Sequence, residues 1–245
     1  MLKSLVVAIG FLTRIPVPTG QVDGPALGRA VTWFPAVGAL LGAIVLGVYH
    51  LLAGRIAPAL AAVALITALA GITGGLHLDG AADVFDALGG GRGNRERMLA
   101  IMRDSRIGAH GAAALVLLLA AKLVAVAELI TRPSAPTWAL FGFPIAARWA
   151  VVPLVVVFPY ARPDGLGKPF HGHAGVAQLA GASALSILAV GWIGPPVVAP
   201  TLAAIAIAFA FAFALSRRLG GITGDVCGAA IELAELAFLV VAGLP

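Results

Sequence analysis

Seven stretches of about twenty apolar residues, at 31–53, 57–76, 110–130, 137–158, 175–194, 197–216 and 226–244, leave almost no chain over for a soluble domain. A helix of that length crosses a hydrocarbon layer about 30 Å thick, and only helices or closed barrels satisfy their backbone polar groups there. The chain is 60% hydrophobic with a mean hydropathy of +1.02, well above the roughly 45–50% apolar content of a soluble domain. The fold expected is all-α: a polytopic integral membrane helix bundle of about seven transmembrane helices, between six and eight, in one membrane-embedded domain over residues 1–245. With 31 Gly and runs such as Ala112-Ala113-Ala114, helix backbones can approach closely.

Residues 1–15 carry Lys3 and Arg14 and lead into Pro16 and Pro18 rather than a small-residue cleavage site, so the segment is expected to be retained. It is short for a span and predicts an interfacial or re-entrant helix. Cys227 is the chain's one cysteine and reads as a small apolar filler.

If the seven segments alternate in direction, twelve of the 16 Lys and Arg fall on one side and two, Arg55 and Arg132, on the other. That bias puts the N-terminus and the long connection 77–109 in the cytoplasm, as in a multi-pass protein of the cytoplasmic (inner) membrane. The basic pI of about 10.1 is thus a topology signal, and no nucleic-acid partner is expected. Asp79, Asp83, Asp86, Asp104, Asp164 and Asp225 all fall on the cytoplasmic face.

Acids are costly near a membrane interior, so a cluster of them marks a site. On a helix, Asp79, Asp83 and Asp86 at i, i+4 and i+7 share an arc of about 60°. Carboxylates so placed repel unless a cation sits among them. An all-oxygen donor set favours Mg²⁺ or Mn²⁺, and Mg²⁺ completes its octahedron with water and phosphate oxygens. A diphosphate is therefore the expected ligand. Arg92, Arg95, Arg97, Arg103 and Arg106 follow; Arg106, inside Asp104-Ser105-Arg106-Ile107-Gly108, reads as a site residue, whereas Arg92, Arg95 and Arg97 serve equally well as lipid anchors.

Gly220-Gly221-Ile222-Thr223-Gly224-Asp225 echoes Gly74-Gly75 and Asp79: a glycine pair, then Asp four residues on. Asp225, Glu232 and Glu235 lie on one face of the last span, and the two glutamates must meet Arg148, Lys122 or a metal. His77 has a local hydrogen-bonding role as its simpler reading, with phosphate contact or acid–base chemistry open to it in an irregular turn. His171 and His173 fit a solvated loop. Arg162 and Lys168, in the turn-rich connection 159–168, could close over a polyanion.

The run Gly74 to Gly91, the Asp104–Gly108 motif, Phe11-Leu12-Thr13-Arg14-Ile15-Pro16-Val17-Pro18, Tyr160-Ala161-Arg162-Pro163 and Gly221-Ile222-Thr223-Gly224-Asp225 together resemble the cobalamin synthase family, the adenosylcobinamide-GDP ribazoletransferases. The matches run in order along nearly the whole chain; Ala87 departs from the glycine frequent there. The resemblance implies a membrane enzyme that joins α-ribazole or its 5′-phosphate to adenosylcobinamide-GDP, releasing GMP, with Mg²⁺ as cofactor. On that basis Asp79, Asp83, Asp86, Asp104, Asp225 and Glu232 are the expected metal ligands. One of the acids, or His77, takes the hydroxyl proton. Arg106 and Arg162 are the expected diphosphate clamps, with Ser105, Lys168, Gly75 and Gly80 also against substrate. Membrane lipid is an expected partner, and self-association is left open.

Two rival readings remain at this level. Asp-Gly-x-x-Asp-x-x-Asp resembles part of the acidic signature of CDP-alcohol phosphotransferases, and intramembrane Glu232 and Glu235 would suit an ion-coupled transporter.

Overall fold

The computed structural model describes residues 2–18, 20–132 and 137–244, and these form a helical bundle with one isolated parallel bridge, Tyr160 to Ile222. The helices are α1 (Leu2–Leu12), α2 (Gly24–Ala30), α3 (Phe34–Leu52), α4 (Pro58–Thr73), α5 (Leu76–Gly90) and α6 (Arg95–Ile101). They continue with α7 (Ala109–Ile130), α8 (Thr137–Val157), α9 (Lys168–His173), α10 (Val176–Ile193), α11 (Val198–Leu219) and α12 (Gly224–Ala242). Local chemistry sets many of the boundaries. Proline stands in the opening turn of α2, α3, α4 and α9, where its missing N–H costs nothing. Asp23, Asn94 and Thr223 accept backbone N–H bonds as caps of α2, α6 and α12.

The core is built around α8, which packs on α3, α10, α11 and α12. Glycines 38 and 42 on α3 bring it against the α8 backbone at Pro144 and Phe141, the close approach expected where small residues face each other in lipid. By contrast α10 is almost wholly peripheral and presents Ile187, Leu188 and Trp192 outward. Apolar side chains on such a face meet lipid rather than water.

The structure confirms a polytopic helical membrane protein and revises the boundaries of its spans. Five helical segments are long and apolar enough to cross a membrane: 24–52, which joins α2 to α3, and α7, α8, α10 and 195–219, which ends in α11. The expected span 57–76 is a 16-residue α4 that breaks at Gly74-Gly75 and turns by 90° into α5; the bent pair would make a sixth. At 1.5 Å per residue α4 is about 24 Å long, short of a full crossing. The expected last span is the 19-residue α12, whose three acids set it apart from the five spanning segments, each of which has an 18-residue stretch with at most two charged residues.

Helices α7 and α12 run parallel. At one end both meet α5, and at the other the Arg132 guanidinium donates to the carbonyls of Gly243 and Leu244. Consequently α5 lies across the end of the bundle where α7 and α12 begin, and its acids sit at that end.

Candidate active site

Two glycine-pair breaks build the site. After α4, Gly74 and Gly75 take φ of +64° and +69°; after α11, Gly220 and Gly221 take +72° and +151°. These left-handed values suit glycine and end each helix abruptly. The next helix begins directly after Gly75 and after a gap of two residues from Gly221, and in both cases its first turn carries an aspartate, Asp79 on α5 and Asp225 on α12. Carboxylates are favoured there by the helix dipole.

The two helix starts pack directly on each other. A side chain at Gly80 would bring its Cβ within 2.9 Å of the Asp225 carbonyl oxygen, and one at Gly228 within 3.3 Å of the His77 backbone. Asp79, Asp83 and Asp225 lie near enough to act on one another electrostatically, with Arg162 as the neighbouring cation. Arg162 pairs with Asp225 at 2.7 Å, and the Thr223 hydroxyl donates to the same carboxylate at 3.3 Å. The connection bearing Arg162 is held by the Tyr160–Ile222 bridge, in which Ile222 N–H donates to Pro159 and Ala161 N–H to Ile222, at 2.8 and 2.9 Å. Sequence-distant segments are thus fixed around three carboxylates.

Other expected site residues have different occupations. Asp86 accepts the N–H groups of Gly108 and Gly111 at 2.7 and 2.8 Å, so both its oxygens secure the start of α7. Asp104 and Arg106 pair with each other at 2.7 Å on an exposed connection. The Arg106 hydrogen bonds and charge hold the Asp104 carboxyl down at about 2. With Asp86 and His110 the pair borders a separate, open cleft of about 440 Å³, and Ser105 is exposed beside it. Glu232 is buried against Lys122 at 2.7 Å. Lys168 donates to the Pro163 carbonyl within its own loop. Gly75 forms the break, with open space where a side chain would stand, and Gly80 packs against the Asp225 backbone.

A continuous buried polar chain lies behind the carboxylates. Lys122 bridges Glu232 and Glu235, Glu235 also pairs with Arg148, and Arg148 Nη2 reaches His77 Nδ1 at 3.4 Å. This settles the sequence alternative for the two glutamates: they meet Lys122 and Arg148. Arginine only donates, so His77 Nδ1 is the acceptor and Nε2 carries the proton. The free Nε2 has no partner among the described residues.

Sequence reasoning missed two features. His171, assigned to a solvated loop, lies in α9 with its ring 5.0 Å from Tyr160; burial lowers its basicity and raises the pKa of the Tyr160 phenol. Arg95, read as an equal case for lipid anchoring, ties the end of α11 through the Leu219 carbonyl at 2.6 Å and reaches Ala161 at 3.3 Å. Neither pairing leaves a periodic trace in the sequence.

Among the described residues no three His, Cys, Asp or Glu side chains form a preformed metal cage. The donor set nevertheless suits Mg²⁺. Asp79, Asp83 and Asp225 are hard oxygen donors with one neighbouring arginine, and Mg²⁺ normally takes few protein ligands, leaving the rest to water and phosphate.

Fold and site together define a multi-pass helical membrane protein with a cluster of carboxylates at one end of its helix bundle. The chain belongs to the cobalamin-5-phosphate synthase family, whose model it matches over residues 4–243. It is 41% identical to the adenosylcobinamide-GDP ribazoletransferase of Klebsiella pneumoniae over 98% of this chain and 99% of that protein. The proteins of the same name from Geotalea daltonii and Brevibacillus brevis are 40% and 37% identical, over 98% and 96% of this chain and 96% and 95% of theirs. No solved structure matches it.

Proposed function

We propose that this protein is an adenosylcobinamide-GDP ribazoletransferase, acting at the Asp79–Asp83–Asp225 site. The observation that carries the reading is the meeting of two glycine-broken helix starts, which brings three carboxylates and Arg162 together from opposite ends of the chain. Full-length relatives bearing that activity's name support it.

A hydroxyl of α-ribazole, or of its 5′-phosphate, attacks the phosphorus attached to cobinamide. A new P–O bond forms as the P–O bond to GMP breaks, and GMP leaves with the bond's electrons. Asp79, Asp83 or Asp225 receives the hydroxyl proton. His77 is unsuited to that task, since Nδ1 faces Arg148 and Nε2 already bears hydrogen. Arg162 is placed to bind phosphate oxygens, as bidentate guanidinium groups do. Mg²⁺, held by Asp79, Asp83 and Asp225, would supply charge neutralisation at the diphosphate. Such transfers depend chiefly on positioning and electrostatic stabilisation.

The basic bias of the connections supports placing this face in the cytoplasm, with the protein in the inner membrane. A transporter reading is weakened because Glu232 and Glu235, its intramembrane acids, are already neutralised by Lys122 and Arg148.

Purified protein incubated with adenosylcobinamide-GDP, α-ribazole and Mg²⁺ should release GMP and form adenosylcobalamin. EDTA should stop it and Mg²⁺ restore it. No GMP from well-folded wild-type protein would reject the assignment.

A further inference from the structure

Beside the carboxylates the bundle contains a cavity of about 180 Å³. Asp79 and Asp225 border it, while Phe11, Phe34, Phe170, Val151, Val155 and Ile231 supply apolar wall. The three phenyl rings adjoin: Phe11 lies 4.3 Å from Phe170 and 6.3 Å from Phe34, centroid to centroid. His77 and His171 also border the space. His77 is only 3% exposed, its Nδ1 is oriented by Arg148, and its Nε2–H is unpartnered. A buried donor left unmatched is costly, so an occupant offering one acceptor in an otherwise apolar body would be well matched.

We propose that this cavity receives the aromatic base of the ribazole substrate. The inference rests on the transferase reading above and assigns one half of the reaction to a place. Ribazole is a riboside of dimethylbenzimidazole, a flat fused bicycle with two methyl groups and one free imine nitrogen. His77 Nε2–H donates to that nitrogen, the phenyl rings enclose the bicycle, and the ribose extends towards Asp79 and Asp225, where its hydroxyl reacts. Guanine fits poorly, because its carbonyl, amine and ring N–H would enter an apolar wall unpaired. The corrin is an amide-fringed macrocycle far larger than the space. An acyl chain would match the walls but leave the His77 donor unsatisfied.

Filling the cavity with Val151→Phe should raise the KM for ribazole at least about tenfold, a loss of about 1.4 kcal/mol, with the KM for adenosylcobinamide-GDP within about twofold of wild type. A rise in the cobinamide-GDP KM instead, or no change in either, would overturn the proposal. A binding measurement independent of turnover, and of whether Val151→Phe folds, uses Leu166→Cys at the exposed cavity rim in a Cys227→Ala background. Ribazole should protect the introduced thiol from a maleimide, while GDP should not; the opposite pattern, or no protection by ribazole, refutes the assignment. An indole riboside, lacking the imine nitrogen, should bind wild type about tenfold more weakly than ribazole does, and the two should bind His77→Phe alike. Equal binding to wild type would remove His77 from the recognition. Wild type that makes no GMP counts against the transferase, whereas wild type that makes GMP without ribazole protecting the rim counts against this cavity alone.

Discussion

Asp83 and Asp86 are three positions apart on α5 and have different work. Both oxygens of Asp86 accept backbone N–H bonds from the start of α7, whereas Asp83 has no hydrogen-bond donor among the described residues and sits with Asp79, Asp225 and Arg162. Asp83→Asn should therefore cut turnover at least about 100-fold with an unchanged melting temperature; near-normal GMP release would remove it from the site. Asp86→Ala should instead destabilise the protein by about 1–3 kcal/mol, seen as a lower melting temperature, by stranding two N–H groups. Asp104 gives a pH-dependent case. Its carboxyl is held below the ordinary value, so pairing with Arg106 is complete above the unfolded-state value and is lost as pH falls through about 2. Arg106→Ala should accordingly change turnover by one constant factor from about pH 5 to about pH 9; a factor that varied would contradict the pairing.

Among the elements, the two break-and-restart units, α4–α5 and α11–α12, determine the site. The glycine pairs and their following aspartates were legible because left-handed backbone and dipole-compatible acids have short sequence signatures. The contact between the units was not legible, since nothing in the pattern says that Gly80 must face the Asp225 backbone. Gly80→Val should push α5 off α12, lowering stability by about 1–3 kcal/mol and removing most activity while Asp79, Asp83 and Asp225 remain. Retention of full GMP release by that variant would show that the acids need not converge. The 90° break likewise explains why one continuous span was expected over 57–76: hydropathy persists across Gly74-Gly75, but backbone direction does not.

At the scale of the molecule, Lys122, Arg148, Glu232 and Glu235 join α7, α8 and α12 in the interior. Each charge would be expensive alone, so the set binds the helices conditionally, through partners. Lys122→Met leaves Glu232 without its ammonium partner and should cost about 3–5 kcal/mol, measured by thermal or denaturant unfolding in detergent. Restoring charge balance with Lys122→Met/Glu232→Gln should recover part of that loss; no recovery would mean that the ammonium acts through packing alone. His77 connects this interior to the candidate site through Arg148, which places ring orientation under the control of helix packing.

The sequence alone determined that this is a membrane helix bundle and that Asp79 and Asp225 belong to similar local motifs, a glycine pair followed by an aspartate. Those properties follow from composition, periodicity and backbone preference, each carried by neighbouring residues. Tertiary structure decided which partner each acid meets: Asp86 was taken by the α7 amides, Glu232 by Lys122 and Asp225 by Arg162, with Asp79 and Asp83 beside that last pair. The reason is that a carboxylate's role depends on the donors that reach it, and here most of those donors come from segments far away in the chain.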